Sequence, residues 1–186
     1  SRYLRLGKEL EVDKAYKCRV RKPWWRPPLV KHPDLFFTYM SHRYPRIVAN
    51  RAGVSFVNYM HGIRLRPEAP RITKTALPLL AYNSVTMLGA EINGRSYGGG
   101  ILKMEPREAA SLPVPNHDTM DRAWSILSRE RDSLDYQLRN GLWTSVVARV
   151  DEVLLKATIG MSSDDASILH ESARSMRSRR LSRGSH

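Results

Sequence analysis

The apolar pattern of the chain changes at Pro70, and that change decides the fold class. Before it, apolar residues come in short runs broken by prolines at 23, 27, 28, 33, 45, 67 and 70. Leu35–Met40, Arg46–Asn50 (closed by Ala52-Gly53) and Val54–Met60, with Ile63-Arg64-Leu65 as an extension, have the length and apolar content of strands. Residues 9–20 alternate, with Leu10, Val12, Tyr16, Cys18 and Val20 on one parity, which predicts a strand with one buried face and Cys18 as a small buried group on it. After Pro70 the spacing becomes helical. Thr73 is a candidate cap for one helix running to Ile92, although Pro78 argues for a start nearer Ala76, and Asn93-Gly94 stops it. Ile101–Met104 reads as a strand, and Pro106 opens a short helix. Asp118 is placed to cap a helix over residues 119–139, with Met120, Trp124, Leu127, Leu134 and Leu138 on one face. Further helices are predicted over Trp143–Ala157 and residues 163–182. The expectation is an α+β fold: a small mixed or antiparallel sheet with packed helices and a helical C-terminal extension. Residues 1–115 form the expected α+β domain, 116–182 the extension, and 183–186 a tail or tag remnant.

Charge says what such a fold would meet. The 186 residues carry 31 Lys/Arg against 18 Asp/Glu, a formal charge of +13. Residues 1–66 hold 15 basic and 4 acidic side chains, residues 67–139 hold 9 of each, and residues 140–186 hold 7 and 5. A basic excess confined to one third of the chain fits a phosphate-binding face, because each neutralised phosphate releases counterions. The 41% hydrophobic content excludes a wholly disordered chain. The single cysteine excludes an intrachain disulfide and a multi-cysteine zinc site. No apolar run approaches the roughly 18–20 residues that span a bilayer, and the first residues lack a secretory apolar core. A reducing, cytoplasmic setting with no membrane partner is expected.

Two segments could carry recognition. In Arg19–Arg26, the cations Arg21, Lys22 and Arg26 flank Trp24 and Trp25. The cations suit phosphates, and the tryptophans either stack on nucleic acid or anchor the loop to the core. In Asn93–Gly100, the residues Gly98, Gly99 and Gly100 permit close backbone approach, and Arg95, Ser96 and Tyr97 precede them. That segment suits a phosphate, or serves only as a tight connection. It is neither a Walker loop nor a convincing dinucleotide fingerprint. Asn58 and His61 are candidate readers of base edges, and His61 equally fits a packed loop or core position. Arg64 and Lys103 complete the candidate DNA-contacting set. The last arginines, from Arg177 on, either track phosphate or fray. Catalytic signals are absent: the six histidines form no metal-ligand spacing, and the carboxylates are too dispersed for an acid–base pair.

Taken in order, Tyr16–Leu29 (Tyr-Lys-Cys-Arg-Val-Arg-Lys-Pro-Trp-Trp-Arg-Pro-Pro-Leu), Pro33–Met40, Pro45–Asn50, Asn58–Leu65, Tyr82-Asn83-Ser84 and Ala90–Pro106 resemble the C-terminal target recognition domain of N6-adenine DNA methyltransferases from restriction–modification systems. The resemblance covers roughly residues 3–115. It implies a parent enzyme whose N-terminal domain binds S-adenosylmethionine and methylates adenine in DNA, in the prokaryotic cytoplasm near the nucleoid. That family's catalytic Asn/Asp-Pro-Pro-Tyr/Phe motif is missing here, since the only Pro-Pro follows Arg26. The resemblance therefore implies a recognition domain without cofactor of its own, partnered by double-stranded DNA and by the catalytic domain of the same parent. It further implies phosphate gripping by Lys22, Arg26, Arg95 and Ser96. A stand-alone nucleic-acid-binding or specificity-subunit module is the alternative.

Overall fold

The computed structural model describes residues 1–27, 31–56 and 59–184, and the chain divides into two compact units, Ser1–Lys31 and His32–His186. The first unit is helical: α1 (Arg2–Glu9), a 3₁₀ turn (Val12–Lys14) and α2 (Tyr16–Arg19), none with a buried side chain. The strand expected over residues 9–20 does not form. Alternation yields a strand only where a neighbouring strand takes up the backbone groups. Here they bond locally instead, Leu10 N–H to Leu6 O and Arg19 N–H to Ala15 O. Leu10, Tyr16 and Val20 stay 67%, 71% and 63% exposed, and Cys18 is half-buried rather than in a core. Trp24 does anchor its loop: a Cβ on Gly7 of α1 would fall 2.8 Å from its ring.

The second unit carries two three-stranded antiparallel sheets. In the first, β1 (Leu35–Thr38) lies between β3 (Ile47–Ala49) and β4 (Met60–Ile63). In the second, β6 (Ile101–Lys103) lies between β2 (Met40–Ser41) and β5 (Arg95–Tyr97). The run Leu35–Met40 therefore does not form one strand: it passes from one sheet to the other at Tyr39. Period-two alternation turns Leu35, Phe37 and Ile47 toward the helices and leaves Phe36 and Val48 on the other face. Phe56 covers part of that outer face, with its ring 6.0 Å from Phe36. Gly62 is required beneath it, since a Cβ there would sit 2.5 Å from the Phe56 ring. Of the strand expected over Val54–Met60, Val54–Phe56 are not in a strand, residues 57 and 58 lie outside the described residues, and β4 begins at Met60.

The helices follow the predicted faces but not the predicted ends. The helix expected to run to Ile92 is two, α3 (Thr73–Leu80) and α4 (Ser84–Asn93). The break arises at Asn83, whose buried Oδ1 accepts the Thr86 N–H at 2.8 Å and caps α4. Thr73 is the first helical residue of α3 rather than its cap. Pro106 opens α5 (Pro106–Ala110), closed by a reciprocal Glu105–Glu108 box. Asn116, not Asp118, caps α6 (His117–Leu127), and a 3₁₀ turn at Ser128–Glu130 separates it from α7 (Arg131–Arg139). Then come α8 (Trp143–Asp151), which widens into π turns over Glu152–Thr158, and α9 (Ser163–Arg183). Among the described residues, no helix is long and apolar enough to cross a membrane.

Sheet and helices share one core, built from Leu35, Phe37 and Ile47 with Leu77, Leu80, Leu127, Val150 and Leu154. The division expected at 115/116 falls inside this second unit. Two buried polar links tie it further. Asp151 accepts from Ser84 N–H at 2.8 Å and Ser84 Oγ at 2.5 Å, at the N-terminus of α4, while burial pushes its carboxyl above the usual range. Arg180 of α9, only 5% exposed, forms a bidentate pair with Glu91 of α4 at 2.9 and 2.7 Å. Its guanidinium also donates to the carbonyls of His42, Arg43 and Gly100. The last arginines are thus not all a frayed tail.

Losing one partner of a buried pair strands the other charge. Arg180→Met should lower unfolding free energy by about 3–5 kcal/mol, read from the urea midpoint. Glu91→Leu combined with Arg180→Met should recover only part of this, because the three carbonyls stay without their donor, at about 1–3 kcal/mol for each buried one. Full recovery in the double variant would show that the carbonyl contacts contribute nothing.

Candidate nucleic-acid interface

Arg95 to Lys103 form a hairpin, β5 and β6 joined at Gly98–Gly100, with Arg95 opposite Lys103, Ser96 opposite Leu102 and Tyr97 opposite Ile101. Leu102 is buried, so Arg95, Tyr97 and Lys103 share the opposite face. The Lys103 ammonium lies 5.3 Å from the Tyr39 ring centroid, 5.4 Å from that of Tyr97 and 2.9 Å from the Glu105 carboxylate. Hydrogen bonding to Tyr39 and then to Glu105 holds the Lys103 pKa well above its ordinary value, and Lys103 in turn lowers that of Glu105. Arg95 pairs with Glu108, whose other oxygen accepts the Glu105 N–H at 2.7 Å. Both cations of this hairpin are therefore already matched by carboxylates.

The glycine turn is only partly open. Gly98 and Gly99 are exposed with free space around them, and Gly99 needs its positive φ of 71°. Gly100, also at φ 71°, is buried beneath α9. Its carbonyl accepts from Arg180, and a Cβ on it would lie 3.0 Å from Leu181 Cα. Gly184, expected to belong to a tail, packs directly on the Gly99–Gly100 backbone. Gly100 is thus a packing glycine, which corrects its assignment to the DNA-contacting set.

His61 joins the two sheets. Its Nε2–H donates to the Met104 carbonyl at 2.8 Å, and its ring stacks on Phe37 and meets the edge of Tyr39. This is a packed setting of the kind the sequence also allowed for His61, with Nε2 engaged by the Met104 carbonyl. Arg64 is exposed just beyond β4, and Asn58 lies outside the described residues. In the first unit, Lys22, Trp25 and Arg26 are exposed, whereas Arg21 and Trp24 are half-buried.

A second basic–aromatic place in the second unit escaped the sequence reading. A cleft of about 390 Å³ is walled by Tyr44, Tyr82 and Trp143 and edged by His42, Arg43 and Arg46. Tyr44 and Trp143 meet edge to face at 5.6 Å, and the Arg177 guanidinium of α9 lies 5.2 Å from the Trp143 ring and 5.6 Å from that of Tyr44. Burial raises the pKa of both Tyr44 and Tyr82. The run His42-Arg43-Tyr44-Pro45-Arg46 has the same interleaving as Arg19–Arg26 and was the available signal. Trp143 and Arg177 had none, because only tertiary packing brings them there. No group of three or more potential metal ligands occurs among the described residues.

Comparison with known proteins adds a lineage. The family model described as "Type II methyltransferase M.Eco57I, C-terminal domain" matches residues 1–155. The chain is 32% identical over 123 residues to Type II methyltransferase M.XamI of Xanthomonas campestris pv. amaranthicola, covering 64% of this chain and 22% of that protein. It is 22% identical over 159 residues to Type II methyltransferase M.AccI of Acinetobacter calcoaceticus, covering 83% of this chain and 29% of that protein. The chain thus spans less than a third of the length of these relatives, and no solved structure matches it.

The two ends of the glycine turn should respond differently to substitution. Gly98→Ala should leave the thermal midpoint almost unchanged, within about 0.5 kcal/mol. Gly100→Ala must hold a side chain at positive φ against Leu181 and should cost about 1–3 kcal/mol by the same measurement.

Proposed function

We propose a function from one premise: the chain belongs to the family of Type II methyltransferase M.Eco57I C-terminal domains. It is a methyltransferase-associated domain of restriction–modification type. Its role in our reading is to bind duplex DNA as the target recognition part of an adenine-N6 DNA methyltransferase. The methyl transfer itself belongs to a catalytic partner domain of the parent that uses S-adenosylmethionine. The residues present do not fit that cofactor. Among the described residues both sheets are antiparallel and no parallel strand pair opens on a glycine-rich loop, and the sequence lacks the catalytic Pro-Pro motif. Methylating a base inside a duplex requires rotating it out of the stack, and a second grip on the duplex holds the opened site in register.

The observation that carries the DNA-binding reading is the pairing of the cations. Residues 1–31 hold ten Lys/Arg and three Asp/Glu. Among the described residues of that unit, only Lys14 is in an ion pair, with Glu11. A run of cations left to solvent is favourable once phosphates replace the counterions. Arg95 and Lys103 are different, since each would first have to leave a carboxylate. This supports a grip led by Lys22, Arg26 and their neighbours, with Arg95, Ser96, Tyr97 and the open Gly98–Gly99 backbone in a lesser part. Trp25, 47% exposed, supplies a ring for stacking in the same segment as Lys22 and Arg26.

Duplex binding by the full chain, followed by fluorescence anisotropy across salt concentrations, separates these roles. Lys22→Gln with Arg26→Gln should weaken binding to all sequences and flatten the log–log salt slope by about 1–2 units. Arg95→Gln should change the slope by less than half as much. An unchanged slope in the double variant would overturn the phosphate grip.

A further inference from the structure

From the cleft between the 40–46 segment and the start of α8, we infer a binding site for a single nucleotide, its base against the Tyr44–Trp143 wall and its phosphate at Arg43 and Arg46. The inference rests on the DNA-binding reading above and deepens it, since an unstacked nucleotide of a DNA strand and a free nucleotide share this chemistry.

Size, charge and surroundings point the same way. The cleft's volume, about 390 Å³, is within the usual range for small-ligand sites. Three aromatic residues provide flat apolar surface, and every base has a face that stacks on it. The charge is of one sign: Arg43 and Arg46 line the cleft and no carboxylate does. The other large cleft of this unit differs in this respect. There Arg51, Arg131 and Arg139 share the lining with Asp135, whose carboxylate is 3.9 Å from Arg139. A cationic, aromatic cleft without internal anions is complementary to an aromatic ligand that brings its own negative charge.

Arg177 backs the aromatic wall without lining the cleft. Its guanidinium is held against the rings of Trp143 and Tyr44, which supports their placement and sets a positive charge beside them. The cleft edge is also pre-set. Arg180 holds the carbonyls of His42 and Arg43, and the Arg43 N–H donates to Ser41 Oγ at 3.1 Å. The Arg43 side chain reaches across toward Gly141, where a Cβ would lie 3.9 Å from Nη1. A ligand therefore meets a framed opening rather than ordering a loose one. The cleft also continues into the hairpin face, because Met40, in its lining, pairs with Lys103 across β2 and β6.

The four tryptophans make the test direct. In the ¹⁵N-labelled full chain, Trp143→Phe assigns the Trp143 indole resonance among four. Deoxyadenosine monophosphate, titrated to about 10 mM, should shift that resonance, and deoxyadenosine without phosphate should do so about tenfold more weakly. Arg43→Gln with Arg46→Gln should lose about tenfold in apparent affinity for the monophosphate without changing the thermal midpoint. A duplex with one base opposite an abasic gap should shift Trp143 at lower concentration than the fully paired duplex if a strand is the source, and equally if only a free nucleotide enters. No Trp143 shift with either monophosphate or gapped duplex overturns the inference. So does an equal shift with a glutamate-rich peptide, which would mean that the cleft reads charge alone. Duplex binding that moves other resonances, with Trp143 silent to the gapped duplex and to the monophosphate alike, overturns this site and leaves the DNA-binding reading standing. Absence of any duplex binding overturns that reading, and the monophosphate titration then decides the site by itself.

Discussion

The bidentate pair between Glu91 and Arg180 is the interaction on which the second unit turns. It is almost fully buried, so it gains little unless every remaining donor is satisfied. The fold meets that condition by bringing three carbonyls to the same guanidinium: His42, Arg43 and Gly100. One side chain at the end of α9 therefore fixes α4, the turn after β2 and the turn between β5 and β6. These are the elements that frame the cleft and carry the exposed hairpin. Rigidity at both surfaces comes from the same buried charge.

This placement explains a feature that is odd at first sight. The family match ends at residue 155, yet Arg180 and Gly184 close over the Gly99–Gly100 turn inside the matched region. α9 is thus a lock on the hairpin rather than an appendage. Gly100 and Gly184 are small because two backbones meet there, Gly99 is glycine for its positive φ, and Gly98 has open space where a side chain would go. Packing accounts for the first pair; the other two lie in an open turn and stay accessible to a ligand.

Sequence patterning read well wherever a periodic face was buried against a partner in the same unit. Leu35–Thr38, Ile47–Ala49, Ile101–Lys103 and the faces of α6 to α8 were legible for that reason. It failed at residues 9–20, where the alternating set has no partner and remains exposed. It also missed the breaks at Asn83 and Ser128, because a cap inside a long apolar pattern does not disturb the pattern. Lys22 and Arg26 were nominated from charge alone, and the structure leaves both exposed. The cleft was not, since Tyr44, Trp143 and Arg177 are distant in sequence and only the packing of α8 and α9 assembles them. Read in isolation, Arg180 belonged to a basic tail; its burial depends on Glu91, which no local rule connects to it.

The distribution of paired and unpaired cations then orders the surfaces by task. On the hairpin, Glu105 and Glu108 hold Lys103 and Arg95 in fixed positions, at the expense of attraction for phosphate. Among the described residues of the first unit, the cations other than Lys14 lack such partners and keep their full attraction, but no buried side chain fixes them. Around Tyr44 and Trp143, the arginines are both without carboxylates and framed by buried bonds. Long-range attraction needs only unpaired charge, whereas discrimination needs geometry held before the ligand arrives. Under the DNA-binding role proposed above, the first unit would serve capture and the cleft, which combines both features, the held position. The net charge of +13 does not distinguish these two uses of arginine.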